Sequence, residues 1–446
     1  MQLFEGDVMK SDLLKFGRIC VFYTVITLCI SAQEKAPTNN KSLTLFLQPN
    51  ITPLFTELYE VYGLSDLPKK TFFEDAIYLD QSTPVSILPM QPSNQFVFDH
   101  ASDTLTAFHK KIGDFELYVD PEKPKPFFYT ASGSKHLIAA LVYAIVTSAP
   151  GKKFVFVEQA PFYAGHPGAV SGIFTYPNAR FLAFHDPKEI KLEPGEELVE
   201  FVTSPNNPDG KFRKPLTEAR ILIGDFVFAS SAFGSDKTGY RELNIQWIRQ
   251  ARAAGKHIFS FNSASKQFGK TGSRCGYIWY PLYDPYAESI FKKFFGFISA
   301  STVAAGTTGL ADFLDLIKAF LIMPETGEPL RQNASESLKQ RHIFVEKEFL
   351  NRYPDSSILS IPGSPTFFAK VRDKRIPSKN PLDILLEDLN VSANSGEAMG
   401  ESNEFIRLNL CGYSRQLAEF LNRLAGQEKY TEHDVFIFSD REAIAK

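Results

Sequence analysis

The chain has 446 residues and a formal net charge of −3, and it is 44% hydrophobic and 22% charged. This length can bury a large core and divide into two lobes, and the composition is typical of a globular protein. The balanced charge excludes nucleic acid as the expected partner, and the spacing of the four cysteines predicts neither a disulfide framework nor a metal site.

The first 32 residues have the pattern of a targeting segment. Lys10, Lys15 and Arg18 precede an apolar stretch at 19–30, and small residues follow at 31–32. This order describes a secretory signal peptide, and the stretch is short for a membrane span. We expect entry into the secretory pathway or association with the endoplasmic reticulum. One alternative is an uncleaved signal anchor, and only in that case do we expect the protein to be bound to a membrane. The other is a buried helix of the mature fold, with the protein in the cytoplasm.

Three further parts are predicted after residue 32. Residues 33–100 form a proline-rich N-terminal segment that contributes to a small domain, 101–325 form a large domain, and 326–446 form the C-terminal small domain. The predicted strands of the large domain lie at 154–158, 198–203, 221–226, 257–261 and 275–280. The small domain has predicted helices at 334–349 and near 414–425, and predicted strands at 366–371 and 405–410. Strands that alternate with helices predict a mostly parallel sheet covered on both faces.

A glycine turn opens the first predicted helix of the large domain. Ser-Gly-Ser at 132–134 precedes apolar residues that recur at helical spacing from Leu137 to Ile145. Backbone N–H groups are free at such a helix start and the helix dipole favours an anion there. An ordinary helix N-cap predicts the same residues.

Polar side chains follow two predicted strands of the large domain. Ser-Pro-Asn-Asn-Pro-Asp-Gly at 204–210 follows the strand at 198–203, and the apolar run at 221–226 carries a single acid, Asp225. Ligands of open α/β sheets bind at the carboxyl ends of strands, and a buried carboxylate needs a partner. Asn207 and Asp225 are therefore candidate ligand contacts. The alternatives are a surface turn and an aspartate that caps a turn.

The segment at 263–274 is the most informative of the chain. Lys266 follows two serines, and Arg274 follows a turn that contains two glycines. A lysine amine can form a Schiff base with the aldehyde of pyridoxal 5'-phosphate (PLP) and later carry a proton. Ser263 and Arg274 suit the phosphate of the same cofactor. With PLP as ligand, Asp225 would pair with the pyridine nitrogen and Asn207 with the phenolic oxygen.

Arg407 is the single arginine of an alternating predicted strand near the C-terminus. Its guanidinium is a candidate for bidentate binding of an amino-acid carboxylate. An edge-strand arginine in solvent is the alternative.

Taken in chain order, these motifs resemble those of the PLP-dependent aminotransferases of fold type I. Ala-Pro-Phe-Tyr at 160–163, the motif at 204–210 and the Ser-Lys to Gly-Ser-Arg segment at 265–274 are similar to the alliinase/tryptophan aminotransferase-related family. Leu-Asp-Gln-Ser-Thr-Pro at 79–84 is similar to a further segment of that family. The resemblance runs from about residue 77 to about residue 424.

The resemblance implies an α/β fold and a site between two lobes. The large domain would have a mostly parallel seven-stranded sheet between helices, beside a smaller α+β domain, and the protein would be a homodimer. Lys266 would hold PLP, Tyr163 would stack on its ring, and Arg407, with Asn207, would bind the substrate. The implied residues around the phosphate are Gly133, Ser134, Lys135, Ser263 and Arg274.

The implied activity is an aminotransferase that takes an L-amino acid, aromatic and tryptophan-like, and passes its amino group to a 2-oxo acid. One alternative is an alliinase-type C–S lyase, which eliminates the β-sulfur substituent of an S-alkyl cysteine sulfoxide. The other is a degenerate relative that binds PLP without turnover. Two departures favour this last alternative: Phe228 stands where the family usually has tyrosine, and Lys135-His136 replaces Thr-Gln.

Overall fold

The computed structural model describes residues 45–46, 94–172, 176–229, 239–269, 271–302, 306–322, 324–373 and 380–435. The predicted targeting segment at 1–32 and the motif at 79–84 lie outside these residues, as does nearly all of the predicted segment at 33–100. Among the described helices, none combines the length and the apolar character needed to cross a bilayer.

The described elements, in chain order, are β1 Leu45–Phe46, α1 Asn94–Ile112, β2 Phe127–Ala131, α2 Ser134–Ser148, β3 Lys153–Gln159, β4 Ala179–Phe184, β5 Glu196–Thr203, β6 Ile221–Asp225, α3 Tyr240–Ala253, β7 His257–Ser263, α4 Ala264–Gln267, β8 Gly276–Tyr280, α5 Pro285–Ser301, α6 Thr307–Ile322, α7 Pro324–Arg352, β9 Ser357–Ile358, β10 Thr366–Lys370, α8 Pro381–Leu389, β11 Val391–Ser392, β12 Asn394–Ser395, β13 Phe405–Asn409, α9 Ser414–Ala425 and α10 Glu432–Val435. Shorter helical turns lie between some of them.

A seven-stranded sheet forms the centre of the fold, with the order β2-β8-β7-β6-β5-β3-β4. The pairs from β4 through β7 are parallel, and β8 runs antiparallel to both of its neighbours. The parallel strands therefore end at the same edge of the sheet, where the loops that follow them meet.

Helices cover both faces of this sheet because successive side chains along a strand point to opposite faces. On β8, Tyr277 and Trp279 pack against α1, α3 and α6, whereas Ile278 and Tyr280 pack against α2 and α5. The helices present apolar residues at helical spacing; on α1 the buried apolar residues are Ala101, Leu105, Phe108 and Ile112.

Both tryptophans of the chain lie in the core on the first of these faces. The ring centre of Trp247 on α3 is 5.8 Å from that of Phe226, the residue after β6. The ring centre of Trp279 is 5.5 Å from that of His109 on α1. Large aromatic side chains thus fill the space between the sheet and its helices.

A second, antiparallel sheet has the order β12-β13-β10-β9. Phe367 and Ala369 of β10 and Ile406 and Leu408 of β13 face a core that they share with α7, α8 and α9. This core continues to the α1 and α3 face of the large sheet. A small α+β layer therefore packs beside the large sheet.

The predicted fold class is confirmed. The five predicted strands of the large domain are present within two residues at either end, and the helix predicted near 414–425 has those bounds. The helix predicted at 334–349 is longer, because its first turns contain prolines and few apolar residues, a pattern that does not indicate a helix. The predicted domain boundaries stay predictions, and α1 runs across the one at residue 100.

Candidate active site

Two of the predicted site residues, Asp225 and Lys266, lie at or just after the carboxyl ends of parallel strands. Thr203 at the end of β5 is paired with Asp225 at the end of β6, and Asp225 is paired with Phe261 of β7. The last residue of β7, Ser263, leads directly into α4, which carries Lys266. The order of the strands therefore brings the acid and the lysine to adjacent positions.

Lys266 is held on a short helix whose start is fixed by Ser263. The Ser263 hydroxyl accepts the N–H of Ser265 at 3.3 Å and donates to the carbonyl of Cys275 at 3.1 Å. The amine of Lys266 lies 5.8 Å from the ring centre of Phe228. Ser263, predicted to bind phosphate, thus has its hydroxyl bonded within the protein.

The surroundings of Lys266 favour the neutral amine. Burial lowers its pKa to about 8; the charge of Arg407 adds to this effect, and that of Asp225 opposes it. The neutral amine is the form that attacks an aldehyde. With a pKa of about 8, part of the Lys266 population is neutral, and therefore reactive, near neutral pH.

Asp225 is buried beside His166, a residue that the sequence did not single out. The Asp225 Oδ2 atom is 3.3 Å from His166 Nε2, and Oδ1 accepts the N–H of Val227 at 3.1 Å. His166 Nδ1 is 2.7 Å from Oε2 of Glu158 on β3. Burial alone would lower the pKa of His166, but the two carboxylates outweigh it and raise that pKa to about 9.

The glycine turn before α2 lies directly against Arg274. Gly133 has φ +92°, and a Cβ atom there would lie 2.6 Å from Nη2 of Arg274. That guanidinium also donates to the carbonyl of Ser132 at 3.4 Å. Ser134 starts α2 and is partly exposed, and Lys135 is exposed in its first turn. An arginine at a helix N-terminus is suited to a phosphate group.

Arg407 reaches the same edge of the large sheet from the small sheet. Its Nη1 donates to Oδ1 of Asn207 at 3.1 Å, and its Nη2 donates to Oδ1 of Asn394 at 3.2 Å. Burial lowers the pKa of Arg407 from its usual value. Because Oδ1 of Asn207 accepts from Arg407, Nδ2 is the atom of this amide that can donate to a ligand.

Tyr163 lies between these groups. Burial raises its pKa to about 12; Asp225 adds to this effect, and Arg407 and Arg274 oppose it. Its ring is held on one side by the backbone, since a Cβ atom on Gly165 would lie 2.5 Å from the ring. The phenol is therefore neutral, and its ring is available for stacking.

The structure thus brings Lys266, Asp225, Asn207, Tyr163 and Arg407 together, with Gly133 and Arg274 beside each other at the helix start. Sequence reasoning missed Glu158, His166, Thr203 and Asn394. Glu158 is a single acid in an apolar strand, the same signal that identified Asp225, so it could have been found.

These residues fit the chemical groups of PLP. There is a carboxylate for the ring nitrogen, a lysine for the aldehyde, and an amide for the phenolic oxygen. Because Gly133 has no Cβ atom, the Arg274 guanidinium can lie directly against the N-terminus of α2, and both groups suit a phosphate. Lys266, Asp225, Asn207, Tyr163 and Arg274 are the side chains that would hold the cofactor.

A sequence model of a protein family described as Allinase matches residues 76–427. Tryptophan aminotransferase-related protein 1 of Oryza sativa subsp. japonica is 22% identical over 320 residues, which are 66% of this chain and 66% of that protein. This chain therefore spans just under two thirds of the length of the curated relatives it matches.

Solved structures with a similar fold are also found. Substrate-bound BacF from Bacillus subtilis aligns over 96% of this chain and 100% of its own, with 17% identity and a TM-score of 0.57. Aspartate aminotransferase from Thermus thermophilus aligns over 73% of this chain and 81% of its own, with 19% identity and a TM-score of 0.53. At these identities the likeness shows the fold alone.

Proposed function

Because this chain belongs to the alliinase family of PLP-dependent proteins, we propose that it is an aminotransferase that moves the amino group of an L-amino acid to a 2-oxo acid. One observation carries this proposal. The amine of Lys266, with a pKa near 8, lies at the carboxyl end of the sheet with Asp225 and Arg407. These three groups are the ones that transamination needs: a proton carrier, a partner for the ring nitrogen and a carboxylate ligand.

Each side chain has a defined task in this proposal. When bound, PLP supplies a cationic ring that withdraws electrons from the α-carbon of the amino acid. Lys266 Nζ takes the α-proton and returns it to a different carbon as general base and acid. Asp225 holds the proton on the ring nitrogen, Arg407 binds and orients the substrate carboxylate, and Tyr163 covers one face of the ring.

The identity of the substrate is a finer proposal. The relatives are named tryptophan aminotransferase-related proteins, which supports an aromatic, tryptophan-like donor for this chain. A homodimer and a secretory or endoplasmic reticulum location are also part of the proposal. They rest on the family resemblance and on the predicted signal segment at 1–32.

The second candidate function is a C–S lyase, and the name of the matching family supports it. The lyase would use Lys266 for proton removal and Asp225 for the ring nitrogen, and would expel a sulfur substituent from the β-carbon. The third candidate is a degenerate protein that binds PLP without turnover. It is supported by Phe228, whose ring offers no hydrogen-bond donor to the cofactor.

The test is an absorption spectrum of the purified protein with PLP. We expect a visible band that is absent in Lys266→Ala and unchanged in Lys292→Ala, since Lys292 is an exposed lysine on α5. Addition of one L-amino acid without acceptor should remove this band, with release of one equivalent of the matching 2-oxo acid. A second 2-oxo acid should restore the band.

Other outcomes assign the other functions. Continuous release of pyruvate and ammonia from S-alkyl cysteine sulfoxide, with the band retained, would establish the lyase. A band that no amino acid changes would establish the degenerate form. Absence of any band with PLP would refute the cofactor assignment of Lys266.

A further inference from the structure

We propose that Glu158 is a positioning residue of this site, which acts through His166 to keep Asp225 ionised as the partner of the cofactor ring nitrogen. The inference rests on the proposed place of Asp225 but not on which reaction follows. It assigns a role to a buried acid that has no direct contact with the proposed cofactor position.

The side chains of Glu158, His166 and Asp225 form a continuous buried chain that runs from β3 past β5 to β6. Glu158 lies on β3 and Asp225 on β6, and His166 lies between them at 2.7 and 3.3 Å. Thr203 of β5 donates to the second Glu158 oxygen at 2.8 Å. The imidazole is stacked on Phe201, with ring centres 4.4 Å apart and planes 9° apart, and this contact favours the ring plane in which both nitrogens face the acids. We name this chain of Glu158, His166 and Asp225 the acid–histidine–acid chain.

The proposed role of Glu158 follows from the protons that the acid–histidine–acid chain can hold. In one arrangement Glu158 is ionised and His166 carries protons on both nitrogens; in the other Glu158 is protonated and His166 carries only the Nε2 proton. Both arrangements have the same net charge, and in both a protonated Nε2 faces the Asp225 carboxylate at 3.3 Å. Without the Glu158 carboxyl, a neutral His166 can instead carry its proton on Nδ1. Its Nε2 lone pair then faces Asp225 and disfavours the ionised carboxylate.

The groups around His166 agree with this assignment. Burial raises the pKa of Glu158, and His166 opposes that shift, as expected for a proton shared between the two. From the loop after β3, Tyr163 faces the imidazole edge-on and is neutral, and from β5 Phe201 and Thr203 are uncharged. The acid–histidine–acid chain therefore carries one net negative charge, which a protonated ring nitrogen would neutralise.

These three side chains are not a metal site by geometry. Throughout the ranges that the structure describes, no group of three or more His, Cys, Asp or Glu side chains could hold a metal ion. The chain is better suited to holding protons.

The first measurement concerns cofactor-free protein. Long-range proton–nitrogen NMR of histidine-labelled protein reports which nitrogens of His166 carry protons, and the signal is assigned by its loss in His166→Asn. We expect Nε2 to be protonated from pH 6 to 8 in the wild type. In Glu158→Gln we expect a titration within this range and a population with the proton on Nδ1. An Nε2 proton that is unchanged in Glu158→Gln would overturn the inference.

The second measurement compares binding of PLP with that of its 1-deaza analogue, which has a carbon in place of the ring nitrogen. We expect Glu158→Gln to weaken PLP binding by about tenfold and to leave binding of the analogue unchanged. Glu200→Gln is the matched control, because Glu200 is a buried acid on β5 that accepts from Leu216 and Thr217 instead. For this control we expect no change in the binding of PLP or of the analogue.

The outcomes separate this inference from the proposed function. If both ligands weaken alike in Glu158→Gln, Glu158 is merely structural and the inference fails. The inference also fails if Glu158→Gln binds PLP in preference to the 1-deaza analogue to the same extent as the wild type does. If the wild type itself does not prefer PLP to the analogue, Asp225 does not pair with the ring nitrogen and the mechanism proposed above fails as well.

Discussion

The surroundings of the Lys266 amine disfavour its charge, chiefly through burial. An ordinary lysine titrates at 10.5, whereas burial lowers the pKa of Lys266 to about 8. Between these two values the unfolded chain binds a proton that the folded chain does not bind, so the folded state gains stability as pH rises through this window. At pH 7, below both values, the folded cofactor-free protein bears the full cost of the charged amine.

We therefore predict that Lys266→Met stabilises the cofactor-free protein at pH 7, by between about 1 and 3 kcal/mol. This gain should shrink as pH rises from 8 towards 10.5, because the wild-type amine is then neutral. Urea unfolding at several pH values measures the difference, with the exposed Lys292→Met as control. A gain that is independent of pH would contradict the prediction.

Gly133 permits close contact between the α2 N-terminus and Arg274. Gly133→Ala would place a Cβ atom 2.6 Å from the guanidinium at a backbone φ of +92°, so Arg274 must move. We predict a loss of PLP affinity of about tenfold or more, measured by equilibrium dialysis. Gly151→Ala is the control, since a Cβ atom there meets nothing within 4 Å. Equal affinities for the two variants would rule out a phosphate site at this turn.

Residues whose neighbours along the chain form a recognisable motif could be identified from the sequence. Lys266, Asn207 and Asp225 each have such neighbours; the structure brings them together, and their roles stay predictions. Asn394 and Thr203 carry no local signal, because their contacts come from register between strands that are distant in the chain. The partner of an isolated buried acid such as Glu158 is likewise set by tertiary packing.

At the level of elements, α7 holds the end of β13 through a single buried arginine. Arg341 donates to the carbonyls of Leu410 at 3.0 Å and Gly412 at 2.7 Å, and also to that of Val435 and to the Ser414 hydroxyl. These acceptors lie where β13 leads into α9 and where α10 ends. Arg341 thus connects α7 to the strand that carries Arg407.

We predict that Arg341→Leu destabilises the protein by about 3 kcal/mol or more, because several buried carbonyls lose their donor. Denaturant unfolding gives the free energy. Arg415→Leu is the matched control, since Arg415 is exposed on α9 and its replacement should cost about 0.5 kcal/mol or less. Similar losses for both variants would show that Arg341 does not tie these elements together.

Five of the seven strands of the large sheet were predictable because each is a short apolar run followed by a turn. β2 and β4 were not predicted; they are the two edge strands, and the side chains of β4 are mostly half-buried, so its sequence does not form a clear apolar run. The antiparallel placement of β8 also follows from packing and not from its composition. Local patterns therefore indicate which strands exist, whereas tertiary packing decides their order.

Across the whole molecule, the proposed PLP ligands come from β6 and from three connections of the large sheet. A ligand that binds only the folded state raises stability by RT ln(1 + [L]/Kd), which is about 2.7 kcal/mol at one hundred times Kd. We predict that removal of PLP lowers the midpoint of thermal unfolding by several degrees. Lys266→Ala should show a smaller dependence on PLP, since it lacks the covalent link. A midpoint that does not respond to PLP would contradict a PLP site at this edge of the large sheet.

The two tryptophans give the folded chain an optical signal of its own. Trp247 and Trp279 are 4% and 2% exposed, and Trp247 packs on Phe226, next to Asp225. Indole emission overlaps the absorption of a bound pyridoxal group, so energy transfer should dim this emission when the cofactor enters. Since both indoles lie in the core beside the large sheet, a red shift of the emission marks the entry of water into that core. The emission intensity of one unlabelled sample thus reports cofactor occupancy, and its emission wavelength reports whether the core is folded.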